Sequence, residues 1–311
     1  MESVSLFAPA SIANISCGFD VLGLCLDNVG DLMHLEKSNK PGFRITEIKG
    51  QDLPLETEKN VAGVAAQALL KAYKEPVGFK LKIDKRIKAG SGIGSSAASA
   101  AGAVVGINKL LGEPFSPLEL ISFAMEGERL ACGSAHADNV APVILGGFTL
   151  VRSLEPLDVI PLHSPLELAA TVIHPEIEVK TADARAVLHN KIPLKKAINQ
   201  WANVGALVSG LYQEDYDLIS RSLVDEIVEP ARAMLIPGFD QLKENATQAG
   251  ALGCGISGSG PSVFALSKGM TNAHLVAKSM AEVYDKIGVP YEIHICPINP
   301  NGVQFIEPKN K

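Results

Sequence analysis

Three glycines at alternate positions, followed by two serines, stand out in KAGSGIGSSAASAAG, residues 88–102. Gly90, Gly92 and Gly94 let the backbone take positive φ and approach a ligand closely. Ser95 and Ser96 then open an Ala-rich run to Leu111 that reads as a helix. The free N–H groups of its first turn, with the helix dipole, face whatever the loop encloses. That is anion-binding chemistry, and a serine hydroxyl at such a helix start can ligate Mg²⁺ while the loop cradles phosphate oxygens. The Gly-Lys-Ser/Thr of a Walker loop is missing, and no HRD or DFG follows as in protein kinases. A flexible Gly/Ser turn capping an ordinary helix is the competing reading of the spacing.

A second glycine-rich segment, GCGISGSGP at 253–261, spells Gly253-x-Gly255-x-x-Gly258. A dinucleotide fingerprint must follow a strand and open a helix. Here a helical pattern precedes and a strand follows, so an NAD-dependent oxidoreductase is rejected and a tight turn near a ligand is left.

Acids come next. Ser116-Pro117-Leu118-Glu119 combines a capping box with proline at the first helical position, and the helix should run to about Ala131 and stop near Gly133. Ile121, Ala124, Met125, Glu128 and Ala131 share one stripe at helical spacing, apolar but for Glu128. A carboxylate in such a stripe is costly unless paired or metal-bound. Glu128 is therefore the candidate partner of the loop serine at a metal, against the reading of a half-exposed acid near a helix end. His136-Ala137-Asp138-Asn139 puts three polar side chains just before the apolar Val140–Leu145, either as functional groups or as an Asx-capped turn. Asn14 and Asp20, flanking Cys17-Gly18-Phe19, invite the same two readings. Arg185 and Arg232 suit a carboxylate, or else are surface charges.

The elements that must hold these groups interleave. Strands are predicted at Val4–Ala8, Val21–Leu26, Phe79–Ile83, Phe148–Val151, Leu168–His174, Val263–Leu266 and Tyr291–Cys296. Helices are predicted at Asn60–Tyr73, Ala182–His189 (capped by Thr181), Ile198–Leu211, Leu218–Val228, Phe239–Ala249 and Ala273–Ile287. The fold class is α+β. Prolines at 156, 161 and 165 mark a boundary, giving domains 1–158 and 159–311, and 311 residues suit two domains.

Composition narrows the partners. With 28 basic and 34 acidic residues the net charge is −6, which argues against electrostatic binding of nucleic acid. The longest apolar stretch near a helix, Ala97–Ile107, is too short to span a membrane, so no membrane partner is expected. Five scattered cysteines (Cys17, Cys25, Cys132, Cys254, Cys296) form neither a disulfide framework nor a zinc site. With no basic, apolar leader at the N-terminus, a cytoplasmic protein is expected.

Three ordered motifs, APASIANISCGFDVLGLCLD (8–27), GSGIGSSAA (90–98) and GCGISGSGPSVFAL (253–266), resemble those of the GHMP kinases. Within that superfamily, the pattern PA-x-x-AN-x-x-x-GFD-x-LG and HADNVAP (136–142) are most similar to the branch that phosphorylates homoserine. The resemblance implies a two-domain fold, an N-terminal α/β nucleotide-binding domain and a C-terminal ferredoxin-like domain, in a homodimer. It also implies transfer from ATP, with Mg²⁺, to the hydroxyl of L-homoserine on the route to threonine. ATP would be wrapped by Lys88, Ala89, Gly90, Ser91, Gly92, Ile93, Gly94, Ser95, Ser96, Ala97 and Ala98, with Ser96 and Glu128 on the metal. Asn14, Asp20, His136, Asp138, Asn139, Arg185 and Arg232 would bind the amino acid. Several relatives use an aspartate as base where this chain has Asn139, which takes up no proton at neutral pH. Catalysis is then expected from Glu128, Asn139 and Ser96 by approximation and charge stabilisation. Lys88 replaces a proline common in the family, adding a phosphate contact or facing solvent. A GHMP kinase for mevalonate or a sugar, and a silent nucleotide-binding regulator, are the competing functions.

Overall fold

The computed structural model describes residues 2–307 other than Ser134, Lys180 and Asn190. β1 (Ser3–Ala13) and β2 (Leu22–Lys37) pair antiparallel from Ser3↔Glu36 to Ala13↔Gly23, with a register shift between Pro9 and Ser11. Proline, lacking an N–H, is at home in such an irregularity. β3 (Gly42–Lys49) crosses over through α1 (Val61–Tyr73) to the parallel β4 (Gly78–Asp84), which pairs with β2. α2 (Ser95–Leu111) packs on β1 and β2 at Gly102 and Gly106, where a Cβ would strike Leu6, Ala8, Met33 and Leu35. Alanines 97, 98, 100, 101 and 103 around it are fully buried; such small residues let a helix lie close to its neighbours. α3 (Pro117–Cys132) carries the expected capping box and ends at Gly133 in the left-handed conformation. After α4 (Val140–Leu145), β5 (Phe148–Leu154) returns to β2 and pairs with β6 (Leu157–Leu162).

The second half runs β7 (Leu168–Pro175), α5 (Thr181–Ala186), α6 (Leu194–Gln213), α7 (Tyr216–Ser222), α8 (Glu229–Arg232) and α9 (Phe239–Gln248). It continues through β8 (Gly253–Ile256), β9 (Val263–Lys268), α10 (Met270–Ile287), β10 (Tyr291–Pro297) and β11 (Gln304–Ile306). The sheet order β10-β7-β9-β8, with helices between β7 and β8 and between β9 and β10, is the expected ferredoxin-like arrangement. Strand alternation splits this sheet between two cores. Ile173, Val263 and Ala265 pack with α9 and α10, whereas Ala170, Val172, Phe264 and Leu266 join the core of the N-terminal unit.

Expected and observed elements differ in places. The division after residue 158 falls inside β6, and β11 pairs with β1. We propose that the first unit comprises residues 1–162 together with the returning strand. The helix predicted over Leu218–Val228 stops at Ser222, because the Asp225 carboxylate accepts the N–H groups of Ile227, Val228 and Glu229 and starts α8 instead. The helix predicted to reach His189 ends at Ala186; the capping role of Thr181 and the side chain of Cys132 lie outside the described residues. Among the described residues no helix is long and apolar enough to cross a membrane.

One buried ion pair joins these layers. Asp31 in β2 is fully buried and pairs with Lys85, which follows β4. The other carboxylate oxygen accepts the N–H groups of Arg86 (2.8 Å) and Ile87 (2.9 Å). Lys85 Nζ also donates to the Ser95 carbonyl at 2.7 Å and to Ser99 Oγ at 3.0 Å, both in α2. Removing one partner of such a pair strands a buried charge, so Lys85→Met should cost about 3–5 kcal/mol in urea unfolding. Adding Asp31→Asn removes the stranded charge yet keeps an acceptor for the two N–H groups. It should recover more than half of that loss.

Candidate active site

The backbone between Lys88 and α2 is held from several sides. Gly90, Gly92 and Gly94 all have positive φ, between 68° and 85°. At Gly94 a Cβ would also stand 2.0 Å from Ser11 Oγ, and at Gly92 2.6 Å from the Gly260 carbonyl, so the loop is closed upon on two flanks. The Ser11 N–H donates to the Ile93 carbonyl (3.2 Å), and Ser257 Oγ to the Gly92 carbonyl (2.8 Å). Ser257 belongs to the turn between β8 and β9, so the second glycine-rich segment is a hairpin rather than a lone tight turn, and its tip clamps the first.

The loop borders a cavity of about 350 Å³ between the two units. At one end lie Gly90, Gly92, Gly94, Ser95 and Ser96. The first bond of α2 runs from the Ala98 N–H to the Gly94 carbonyl, so the N–H groups of Ser95, Ser96 and Ala97 have no partner within the helix. Leu53, Pro54 and Val61 add apolar lining. Ser96 hydrogen-bonds to Glu128, whose carboxyl is buried and whose Oε1 has no partner among the described residues. Burial pushes the Glu128 carboxyl up to about 7, with Ser96 and the Lys85 ammonium opposing. An orphaned carboxylate oxygen beside a hydroxyl, at a helix end suited to phosphate, fits a hard oxygen-ligated cation such as Mg²⁺.

The other end of the cavity is polar and densely connected. Arg185 Nη2 donates to both oxygens of Asp20, at 3.0 and 3.1 Å, and to His136 Nε2 at 2.8 Å. Arg232 is buried; its Nε donates to the Ala184 carbonyl and its Nη1 to that of Gly258. Burial and the nearby Arg185 lower the Arg232 guanidinium to about 10. Both guanidinium groups lie over the Phe19 ring, 5.6 and 5.1 Å from its centroid. Asn14, itself at positive φ, receives the Asp20 N–H on Oδ1 and donates from Nδ2 to the same Gly258 carbonyl. Asp138 is buried, and burial together with the charges of Asp20 and Glu128 raises it to about 7. Asn139 Oδ1 accepts from Ser11 Oγ at 2.8 Å, beside the N-terminus of α2.

Comparison with known proteins matches residues 60–147 to the GHMP kinases N terminal domain and residues 207–286 to the GHMP kinases C terminal model. The chain belongs to the GHMP kinase family. It is 45% identical to the homoserine kinase of Chloroherpeton thalassium, over 98% of this chain and all of that one. It is also 45% identical to that of Chlorobaculum tepidum, over 98% and 99% of the two chains. A crystal structure of homoserine kinase from Cytophaga hutchinsonii superposes with a TM-score of 0.95 at 50% identity, covering 98% of each chain. Mevalonate kinase from L. major, at 15% identity and a TM-score of 0.70 over 95% of each chain, shares the fold.

The kinase fold brings Asn14, Asp20, His136, Asp138, Asn139, Arg185 and Arg232 to one cavity with Ser96 and Glu128. The loop residues divide. Ala89, Gly90, Gly92, Gly94, Ser95 and Ser96 line this cavity, Ala97 and Ala98 are buried beneath it, and Lys88, Ser91 and Ile93 line a second one. Sequence reasoning overlooked Ser11, Lys85, Phe19 and the Gly258 carbonyl. Asp31, between the apolar residues of VGDLMHL, was the available signal for Lys85; a backbone carbonyl leaves none.

The raised Glu128 carboxyl carries a sign that can be checked. Its ordinary value is 4.5, so the ionised form costs folding stability fully above about 7, and the cost fades toward pH 4.5. Glu128→Gln should therefore stabilise the metal-free protein at pH 8 by about 1–3 kcal/mol in chemical denaturation, and by much less at pH 5. The same substitution should lower kcat by about 100-fold or more.

Proposed function

We infer that the protein transfers the γ-phosphoryl group of ATP to the side-chain hydroxyl of L-homoserine, giving ADP and O-phospho-L-homoserine on the route to threonine. The observation that carries this reading is a single cavity with a phosphate-cradling helix end opposite a pair of arginines and buried carboxyls. It occurs in a chain 45–50% identical, nearly end to end, to proteins named homoserine kinase. Mevalonate has a carboxylate but no ammonium, so it has no use for Asp138 and Asp20 beside two arginines.

In this reading the loop and the N–H groups of Ser95 to Ala97 orient the phosphates. Ser96 and Glu128 hold Mg²⁺, which when bound neutralises charge on the phosphate oxygens. Arg185 and Arg232 take the amino-acid carboxylate in bidentate fashion. Asp20 already serves Arg185, which leaves Asp138 for the ammonium. The Asn139 carbonyl oxygen is occupied by Ser11, so its amide donates and holds the acceptor hydroxyl near the helix end. The proton then leaves to phosphate or water.

Asp138 supports a second reading, because a carboxyl near 7 is also suited to general-base work. Asp138→Asn separates the two. Loss of an ammonium partner raises the homoserine KM about 10-fold or more with kcat largely kept; loss of a base cuts kcat about 10²–10⁴-fold at unchanged KM. The first outcome is expected. Since the ammonium needs an ionised Asp138, kcat/KM for homoserine should fall as pH drops through about 7.

Coupled ADP-release assays with homoserine, serine, threonine, mevalonate and galactose test the assignment, with homoserine expected to be turned over at least about 10-fold more efficiently. Equal or better turnover of mevalonate or galactose would overturn it. We further propose a homodimer in the cytoplasm. An exposed apolar stripe on α6, Leu194, Ile198 and Trp201, is surface that pairing would cover, and the four described cysteines are free and buried.

A further inference from the structure

Loop residues alternate between two cavities. The second, about 140 Å³, is lined by Lys88, Ser91 and Ile93 of the loop, by Arg86 and Phe7, and by His174, Glu292 and His294 of the C-terminal sheet. His174 on β7 is the register partner of Glu292 on β10, and His294 lies two residues further along that strand. All three therefore share the face that looks toward the N-terminal unit.

The floor of this cavity is made of unspent hydrogen-bonding groups. Ser91 is 1% exposed and His174 3% exposed, and neither Ser91 Oγ nor His174 Nε2 has a partner among the described residues. Buried polar atoms without partners are rare in folded proteins and call for an occupant. His174 Nδ1 lies 3.2 Å from Ser262 Oγ, and with that hydroxyl donating, Nε2 carries the proton and presents an N–H. Ser262 also donates its N–H to the Ser91 carbonyl, so one residue ties both donors together. Above them stand Lys88, with Glu292 across from it, and Arg86, whose Nε and Nη2 donate to Asp84 at 2.9 and 2.7 Å and whose Nη1 makes no such bond among the described residues. Two buried, unpartnered donors beneath Lys88 and Arg86, beside a space of about 140 Å³ that accommodates an ion of phosphate size, suit a small anion.

We propose that this cavity is a second ligand site, for a small oxyanion of the phosphate or carboxylate class, placed behind the nucleotide loop. Its occupant joins Ser91 of that loop to His174 of the C-terminal sheet. Anion and nucleotide then favour the same loop conformation, and the coupling is reciprocal. The Lys88 side chain, in the loop yet turned away from the nucleotide cavity, finds its use here.

Calorimetric titration of the full chain, saturated with Mg²⁺ and a non-hydrolysable ATP analogue, tests this with inorganic phosphate in one arm and acetate in the other. Saturable binding of one anion per chain is expected, at a Kd of about 1 mM or tighter, and the tighter arm identifies the oxyanion. His174→Phe, which keeps the ring volume and removes the donor, should weaken it at least about 5-fold. Glu292→Gln, at an exposed position, should strengthen it at least about 2-fold by removing the opposing charge. Neither residue lines the nucleotide cavity, so these effects separate the site from the phosphate subsites. No saturable binding in either arm, or an affinity that neither variant moves, overturns the proposal.

Discussion

The Asp31 carboxylate is the interaction on which the active site's shape depends. It sits in the central strand of the N-terminal sheet, neutralises Lys85 and gathers the two N–H groups that follow. Through Lys85 it reaches the first turn of α2, so where β4 ends and where α2 begins are set by one buried charge pair. Ser95 adds a direct tie, its hydroxyl donating to the Ile87 carbonyl at 2.9 Å. A glycine-rich loop is entropically free by composition. Here both of its ends are anchored a few residues apart, and the freedom that remains is the freedom to meet a ligand.

Charge at the site runs against the net charge of the chain. A protein of −6 that accepts a polyanion must draw its positive field from local groups. The helix N-terminus, Lys85 and the two arginines supply it, while Glu128 and Asp138 lie buried among them with raised affinity for protons. Such carboxyls are poorly solvated until cations reach them, so ligand binding relieves a cost that folding has already incurred. In the proposed reading, this is the physical sense in which the ligand-free site is prepared for a metal and an ammonium.

Much of the site was readable in the chain. The capping box and helical periodicity put Glu128 on the buried side of its helix, because both signals are local. The alternate glycines announced positive φ for the same reason. Other features resisted. Asn28 lies within the 16-residue β2 yet takes positive φ, in the break where the register with β1 steps from Gly30 to Cys25 and before pairing with β4 begins at Leu32; only the fit of two registers on one strand puts it there. Lys88 and Arg86, in a charged stretch, look like solvated lysine and arginine; only the approach of β10 gives them a cavity.

By itself the sequence determined most of the elements, the glycine-lined start of α2, the family and many of the polar groups around the cavity, though not Lys59, Asn60, Lys85, Ser99 or Ser259. These depend on contacts within a few residues, or on motifs whose spacing is their content. The tertiary structure alone decided which charges are already spent on one another. Asp20 is separated from Arg185 by 165 positions and Asp31 from Lys85 by 54, and no local pattern encodes such pairings. It also decided that one loop serves two cavities, since which side of a loop a residue faces is set by what folds against it.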